Sequence, residues 1–373
     1  MDNIFISNLK IKKVRHLQDF DILLSEDRKR HLLLTGKNGS GKTSLLTSLP
    51  FTGVHSVKKN NDEIIFFNDN TAATFPINEG SGNNIIHLIN SNRFNNFSFS
   101  AYRELKVEKS KGVIDQISSN LKDFEKFLAK KRTEQAFLSF ETGHEKEVKK
   151  ISDWFGRLEI SLKYLLEDDS LRLATKRIED KVSFTLSSKV REEFDFNTLA
   201  SGHSSILYVF FAIMQKMQTE GSSFDYNEPG IVIIDEIEAH LHVSLQKKIL
   251  PFLTDFFPNI QFIVSTHSPF ILQSLKDAVI FDLETKKRFE DFSHYSSETI
   301  LETFYEIDKF SEAMKKDMIT YEEMIKSKNG VHKEEILSMR KQFLEVPDIE
   351  VSYWIKDMDI KYRDKIKALL ADD

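Results

Sequence analysis

Lys42 directly follows three closely spaced glycines and directly precedes Thr43, in the run Gly36-Lys37-Asn38-Gly39-Ser40-Gly41-Lys42-Thr43-Ser44. Glycine tolerates the left-handed backbone angles of a tight loop, so successive N–H groups can turn inward onto an anion. A lysine beyond the last glycine adds a point charge, and a following hydroxyl is a ligand for Mg²⁺. Residues 36–44 together read as a cradle for a chain of phosphates, with Lys42 at the β- and γ-positions and Thr43 at the metal. A second reactive pair is Asp235-Glu236, which ends the apolar run Gly230-Ile231-Val232-Ile233-Ile234. An aspartate there can hold the Mg²⁺ through water, and the adjacent glutamate can take a proton from an attacking water. His267 ends a third run, Gln261-Phe262-Ile263-Val264-Ser265-Thr266-His267, and is placed to hydrogen-bond the γ-phosphate or that water.

These residues need strands and helices to bring them together. Leu32-Leu33-Leu34 before the glycines and Thr43–Leu49 after them have the strand–loop–helix context that the phosphate-binding pattern requires. Four consecutive β-branched residues, 231–234, predict a strand buried on both faces, the mark of a parallel sheet whose ligands sit at the strands' carboxyl ends. Residues 3–24 alternate apolar and polar side chains and predict an antiparallel ribbon, with Arg15 between its strands, in reach of the nucleotide, although a lone arginine in a hairpin is more often simply solvated. The strand-like stretches 64–67 and 85–89 are expected to extend the same antiparallel sheet.

From 103 to 170 the chain turns helical and charged. Ile114, Ile117, Leu121, Phe124 and Leu128 form a short heptad seam that Lys131 is expected to break, leaving a helix on the order of 20 Å long. The basic residues Lys130-Lys131-Arg132 and Lys149-Lys150 read as a solvated face. Residues 182–186 predict another strand. The polar turn Thr198–Ser205 leads into an apolar helix over 206–217, and a further helix is expected over 244–256. Beyond Leu283 the chain is acidic and helical, with apolar faces at Ile300, Leu301, Phe304 and Ile307 and at Ile336, Leu337, Met339, Phe343 and Leu344.

The chain has 373 residues, a net charge of −6 and no cysteine. That composition excludes disulfides, thiolate metal sites and thiol catalysis, and it argues against an overall basic coat for nucleic acid. With no apolar run of spanning length and no signal-like N-terminus, the expected location is the cytoplasm, with no membrane partner.

The order of motifs resembles the heads of ABC-type ATPases. The run Asp235-Glu236-Ile237-Glu238-Ala239-His240-Leu241-His242, with Gln246 beyond it and Ser265-Thr266-His267-Ser268-Pro269 later, is similar to the OLD/RecF-like branch related to Rad50 and SMC heads. The resemblance covers roughly residues 1–285. It implies an α/β P-loop NTPase fold with a mixed central sheet, an antiparallel N-terminal sheet, a helical insertion and a C-terminal helical extension. The corresponding segments are 1–102 and 182–285 for the two parts of the head, 103–181 for the insertion and 286–373 for the acidic extension. It also implies ATP and Mg²⁺ as ligands, with Lys42, Glu236 and His267 catalytic and Thr43 and Asp235 at the metal. Two heads would sandwich ATP, with Ser201, Gly202 and His203 meeting the nucleotide in trans and Ala239–His242 crossing the interface.

The sequence departs from that pattern in three places. Leu199-Ala200-Ser201-Gly202-His203 replaces the usual Leu-Ser-Gly-Gly-Gln and shifts hydroxyl donation to Ser201. Asn90-Ser91-Asn92-Arg93 stands where a glutamine loop is expected, and Ile237 replaces a proline. OLD nucleases carry a Toprim nuclease domain after the head. The Asp-x-Asp that follows the head segment, Asp357-Met358-Asp359, reads as a solvated helix face. The chain therefore resembles the stand-alone ATPase subunits of antiphage systems of the Septu and PARIS types. The function implied is an ATPase that dimerises on ATP, as a homodimer or higher oligomer, and controls a separately encoded nuclease or toxin, with nucleic acid reached through the complex. The alternative is a RecF/Rad50-type repair ATPase that binds DNA directly. A small-molecule kinase leaves the 198–205 and His267 turns without a purpose, and a transporter ATPase is expected to carry the missing glutamine loop.

Overall fold

Residues 231–234 lie in the fully buried strand β10 (Gly230–Ile234), which is flanked on both sides by parallel neighbours, as four β-branched residues in a row require. In a computed structural model the described residues are 4–50, 56–59, 63–76, 95–99, 121–178, 181–217, 229–305, 310–327 and 333–370. The chain divides into two units, Met1–Ser297 and Glu298–Asp373.

Two sheets organise the first unit. The antiparallel one has the order β2-β1-β6-β5-β4, from β1 (Asn8–Val14), β2 (Leu17–Leu23), β4 (Ser56–Lys59), β5 (Glu63–Phe67) and β6 (Thr71–Pro76). The alternation over 3–24 and the strand at 64–67 are both found there. The stretch 85–89 lies outside the described residues.

The central sheet runs β13-β12-β3-β11-β10-β7, adding β3 (His31–Thr35), β7 (Asn95–Phe99), β11 (Ile260–Ser265), β12 (Ala278–Asp282) and β13 (Lys287–Glu290). Only β13 runs antiparallel to its neighbour. Because β3, β11 and β10 are adjacent and parallel, the phosphate loop, the His267 turn and the Asp235-Glu236 turn all emerge at one edge of the sheet.

Helices cover the sheet: α1 (Lys42–Ser48), α2 (Leu121–Phe140), α3 (Glu145–Leu166), α4 (Ser201–Met217), α5 (Val243–Phe256) and the short α6 (Pro269–Leu272). Phenylalanines join them. Phe124 of α2 packs 5.1 Å from both Phe196 and Phe211, and Phe210 of α4 packs 4.6 Å from Phe256 of α5. The hairpin β8 (Arg172–Ile178) and β9 (Lys181–Ser187) follows α3 and contains the strand expected over 182–186.

Lys131 does not end its helix. α2 continues to Phe140, because the buried Lys131 lays its methylenes along apolar surface and delivers its ammonium to Glu134 at 2.9 Å. The helix is therefore about 30 Å long rather than 20 Å. Ile114 and Ile117 lie outside the described residues. Arg132 is not merely solvated either, since its guanidinium lies 3.9 Å over the Phe155 ring.

The second unit holds α7 (Glu312–Lys326), α8 (Lys333–Glu345), α9 (Ile349–Lys361) and α10 (Arg363–Leu370) around Tyr321, Phe343, Val351 and Ile355. Ile336 and Phe343 are buried as expected, but Leu344 is 57% exposed, because α8 presents only one narrow stripe to this core. Asp357 is exposed, whereas Asp359 forms a two-pronged ion pair with Arg340 and is not a freely solvated face.

His31 of β3 gives the first unit an acid-sensitive point. Its buried Nδ1 accepts a hydrogen bond from the Phe262 N–H at 3.0 Å, which requires an unprotonated ring nitrogen. Burial, helped by nearby Lys29, pushes its pKa down from 6.5 to about 3. Between those values the unfolded chain binds a proton that the folded chain refuses. The stabilisation is thus complete above pH 6.5 and is lost as the pH falls toward 3, at about 1.4 kcal/mol per pH unit. Urea midpoints measured between pH 7.5 and 5 should fall below 6.5, and the fall should be smaller for His31→Asn, whose amide oxygen takes the place of Nδ1 without titrating.

Candidate functional site

Backbone geometry sets the phosphate loop. Gly36, Gly39 and Gly41 have φ of 127°, 85° and 98°, angles that side-chain-bearing residues rarely adopt. Gly36 is also sterically required: a Cβ there would stand 2.9 Å from Asp282 Oδ1 and 3.0 Å from Ser40 Oγ. The loop ends at α1, and Lys42 begins that helix. Its ammonium donates to the loop's own carbonyls, Gly36 at 2.7 Å and Lys37 at 3.2 Å. Burial is the largest influence on Lys42 and pulls its pKa below the usual range, while Asp235, Glu236, Glu238 and Asp282 pull it back up. Lys37 pairs with Glu284 at 3.0 Å. The β1–β2 turn covers the loop from the other side. His16 Nε2 lies 3.1 Å from the Ser40 carbonyl, and Arg15 beside it has φ of 54°.

One cleft of about 260 Å³ is lined by Asn38, Gly39, Gly41, Lys42, Thr43 and Ser44 from the loop and by Arg15 and His16 from the β1–β2 turn. Glu236 and His267 complete its lining. Three sequence motifs up to 231 residues apart therefore face a single space, and Arg15, although exposed, lines it as well. Asp235 sits behind this lining, 8% exposed at the end of β10, with Oδ1 accepting from the Ser265 hydroxyl. The same hydroxyl oxygen accepts the Glu236 N–H at 2.7 Å, and the Ser265 carbonyl accepts the Ile237 N–H at 3.1 Å. Ser265 at the end of β11 thereby fixes the Asp-Glu corner. Glu236 itself is exposed and has φ of 46°. Half-buried His267 is held below its ordinary pKa mainly by burial and also by Lys42, with Asp235 opposing, so its imidazole is neutral at pH 7.

Ser201, Gly202 and His203 do not line this cleft. They form the first turn of α4, which begins at Ser201 rather than at 206. Ser201 is exposed and Gly202 is buried against α5, where a Cβ would stand 2.7 Å from Leu245 Cδ1. His203 is half-buried and its pKa is lowered by burial and by Lys248, against Glu167. Lys248 Nζ bonds Glu167 at 2.7 Å and the Tyr164 carbonyl at 2.9 Å, so the end of α3 is tied to α5 beside His203. Asn90–Arg93 lies outside the described residues.

A family model described as "AAA domain, putative AbiEii toxin, Type IV TA system" matches residues 156–273, a segment that contains Ser201, Asp235, Glu236 and His267 but begins after the phosphate loop. Among curated proteins, the Septu protein PtuA of Bacillus mycoides (strain KBAB4) is 26% identical over 76% of this chain and 42% of its own length. The "Retron Ec83 probable ATPase" of Escherichia coli is 37% identical over 25% of this chain and 17% of its own. The chain is thus similar to the ATPases of Septu and retron systems. It spans less than half the length of these curated relatives. Among solved structures, the SMC head domain from Thermotoga maritima matches with a TM-score of 0.38 at 13% identity, covering 74% of this chain and 94% of that one. No helix among the described residues is long and apolar enough to cross a membrane.

Four residues of this site carry geometry that the motifs did not announce. Ser265 bridges the Asp-Glu corner, and Asp282 crowds Gly36. Gln246 donates to the Leu241 carbonyl at 2.9 Å and accepts from the Ser268 hydroxyl at 2.6 Å, joining the 239–242 loop to the His267 turn. Glu238 accepts the His267 N–H at 2.5 Å. Gln246, Glu238 and Ser265 were visible only as part of recurring runs, while Asp282 had no signal beyond ending a strand.

Proposed function

We propose that this chain binds and hydrolyses ATP and works as an ATP-gated switch on a separately encoded effector, a nuclease or toxin, in antiphage defence. The observation that carries the reading is the convergence of Lys42, Thr43, Glu236 and His267 on one cleft. Residues 36–44 hold the triphosphate through backbone N–H groups, with Lys42 leaving its loop carbonyls for the β- and γ-phosphate oxygens. The donor set fits Mg²⁺: the Thr43 hydroxyl and the Asp235 carboxylate are hard oxygen ligands, and the ion supplies charge neutralisation at the β- and γ-oxygens when bound.

Glu236 takes a proton from water as the water oxygen bonds to the γ-phosphorus and the bond to the β–γ bridging oxygen breaks. His267, neutral, orients that water or the γ-phosphate. Ser201, Gly202 and His203 act in trans on the nucleotide of a second copy, whose 239–242 loop lies across the interface. ATP closes the pair only to the extent that it binds the closed state more tightly than the open one, and that difference is what an effector can read. The Septu and retron relatives support the defence setting, and their greater length leaves the effector's attachment a proposal.

Light scattering on the chain saturated with a non-hydrolysable ATP analogue and Mg²⁺ tests the switch. A doubling of mass is expected, and an unchanged mass overturns the sandwich. Salt-sensitive binding of duplex DNA by the isolated chain would instead favour the RecF-like clamp.

A further inference from the structure

Glu238 is an acidic side chain of the Asp-Glu corner that turns toward the His267 main chain rather than into the cleft. Asp235 directly follows β10, Glu236 lines the cleft, and Glu238 folds back toward the turn that follows β11. Its Oε1 accepts the His267 main-chain N–H at 2.5 Å. Its Oε2 is buried and has no hydrogen-bond partner. A half-satisfied carboxyl inside a protein is unfavourable, and such groups persist where function holds them. Burial is the largest influence on Glu238 and raises its pKa, with Glu236 adding to the rise, while the hydrogen bond from His267 and the Thr266 side chain oppose it.

We propose that Glu238 is the positioning residue for His267: its carboxyl oxygen sets the main chain of the 266–268 turn and thereby aims the imidazole into the cleft shared with Glu236. This rests on the hydrolytic reading above for its consequence, although not for its geometry. Two further contacts make the link two-sided. The Leu241 N–H bonds the Glu238 carbonyl at 2.9 Å, and Gln246 joins Leu241 to Ser268. The 239–242 loop, proposed to cross between copies, is thus tied to the His267 turn through Glu238 and Gln246. A partner pressing on that loop would move the His267 main chain.

The role asks for an acceptor oxygen at a set reach, which separates it from a role for charge. Glu238→Gln keeps the oxygen and the length, so it should retain turnover within about threefold of the parent. Glu238→Asp keeps the charge but falls one methylene short, and it should lower kcat about 10- to 100-fold with ATP affinity within about threefold. Combining Glu238→Asp with His267→Ala should cost no more than His267→Ala alone, because both act through one group.

A second measurement needs no turnover. With histidine labelled at Cε1 and the His267 signal assigned by its loss in His267→Ala, a non-hydrolysable ATP analogue with Mg²⁺ should shift that signal in the parent and in Glu238→Gln. In Glu238→Asp, at matched nucleotide occupancy, the shift should be lost. If Glu238→Asp keeps both the signal change and the parental kcat, or if its loss multiplies with that of His267→Ala, the assignment falls. If the signals behave as stated in a chain that hydrolyses no ATP, the positioning role stands and the hydrolytic reading fails.

Discussion

Glu236→Gln should abolish nearly all ATP turnover while leaving nucleotide binding intact, with kcat falling roughly 100- to 10,000-fold, the range in which a general base contributes. The amide matches the carboxylate in shape, so the corner held by Ser265 through the Glu236 N–H and the Ile237 N–H is undisturbed. What the variant loses is the ability to accept a proton. The nucleotide should then stay bound and the closed pair should accumulate. Phosphate release gives the rate, and light scattering with ATP itself, rather than an analogue, gives the mass. Parental turnover by Glu236→Gln would remove Glu236 as the base and leave His267 or solvent in its place.

Lys42→Ala should have the opposite signature. Its ammonium is already inside the loop, bonded to the Gly36 and Lys37 carbonyls, so the substitution removes both the cation and the donor that orders the loop. A charge-assisted bond is worth about 1.5–3 kcal/mol, so ATP affinity should fall roughly 10- to 100-fold. The loss should be smaller for adenosine, which has no phosphate for the lysine to meet. Titration calorimetry with both ligands checks this, and equal losses for the two would indicate a distorted loop rather than a missing phosphate contact.

How much of this could be read from the sequence depends on how local each determinant is. The glycine spacing, the β-branched run at 231–234 and the alternation over 3–24 are periodic within a few residues, and each appears in the structure as the element expected. Lys131 could not be read in the same way. A lysine breaks a seam only if its charge has nowhere to go, and Glu134, one turn on, takes it. The start of α4 at Ser201 was also hidden, because serine, glycine and histidine favour turns locally while the packing of Gly202 under Leu245 draws them into the helix. Glu238 marks the limit most clearly. Its meaning lies in a main-chain N–H 29 residues away, which only the adjacency of β10 and β11 brings within reach.

The φ of 46° at Glu236 has a consequence of its own. A side-chain-bearing residue in the left-handed region carries a conformational penalty that glycine escapes. The most comfortable residue for that corner is therefore one that cannot do the chemistry. Laboratory selection of this chain for heat tolerance alone should drift toward glycine at 236 and yield a sturdier protein that grips its ligand and never lets the reaction proceed.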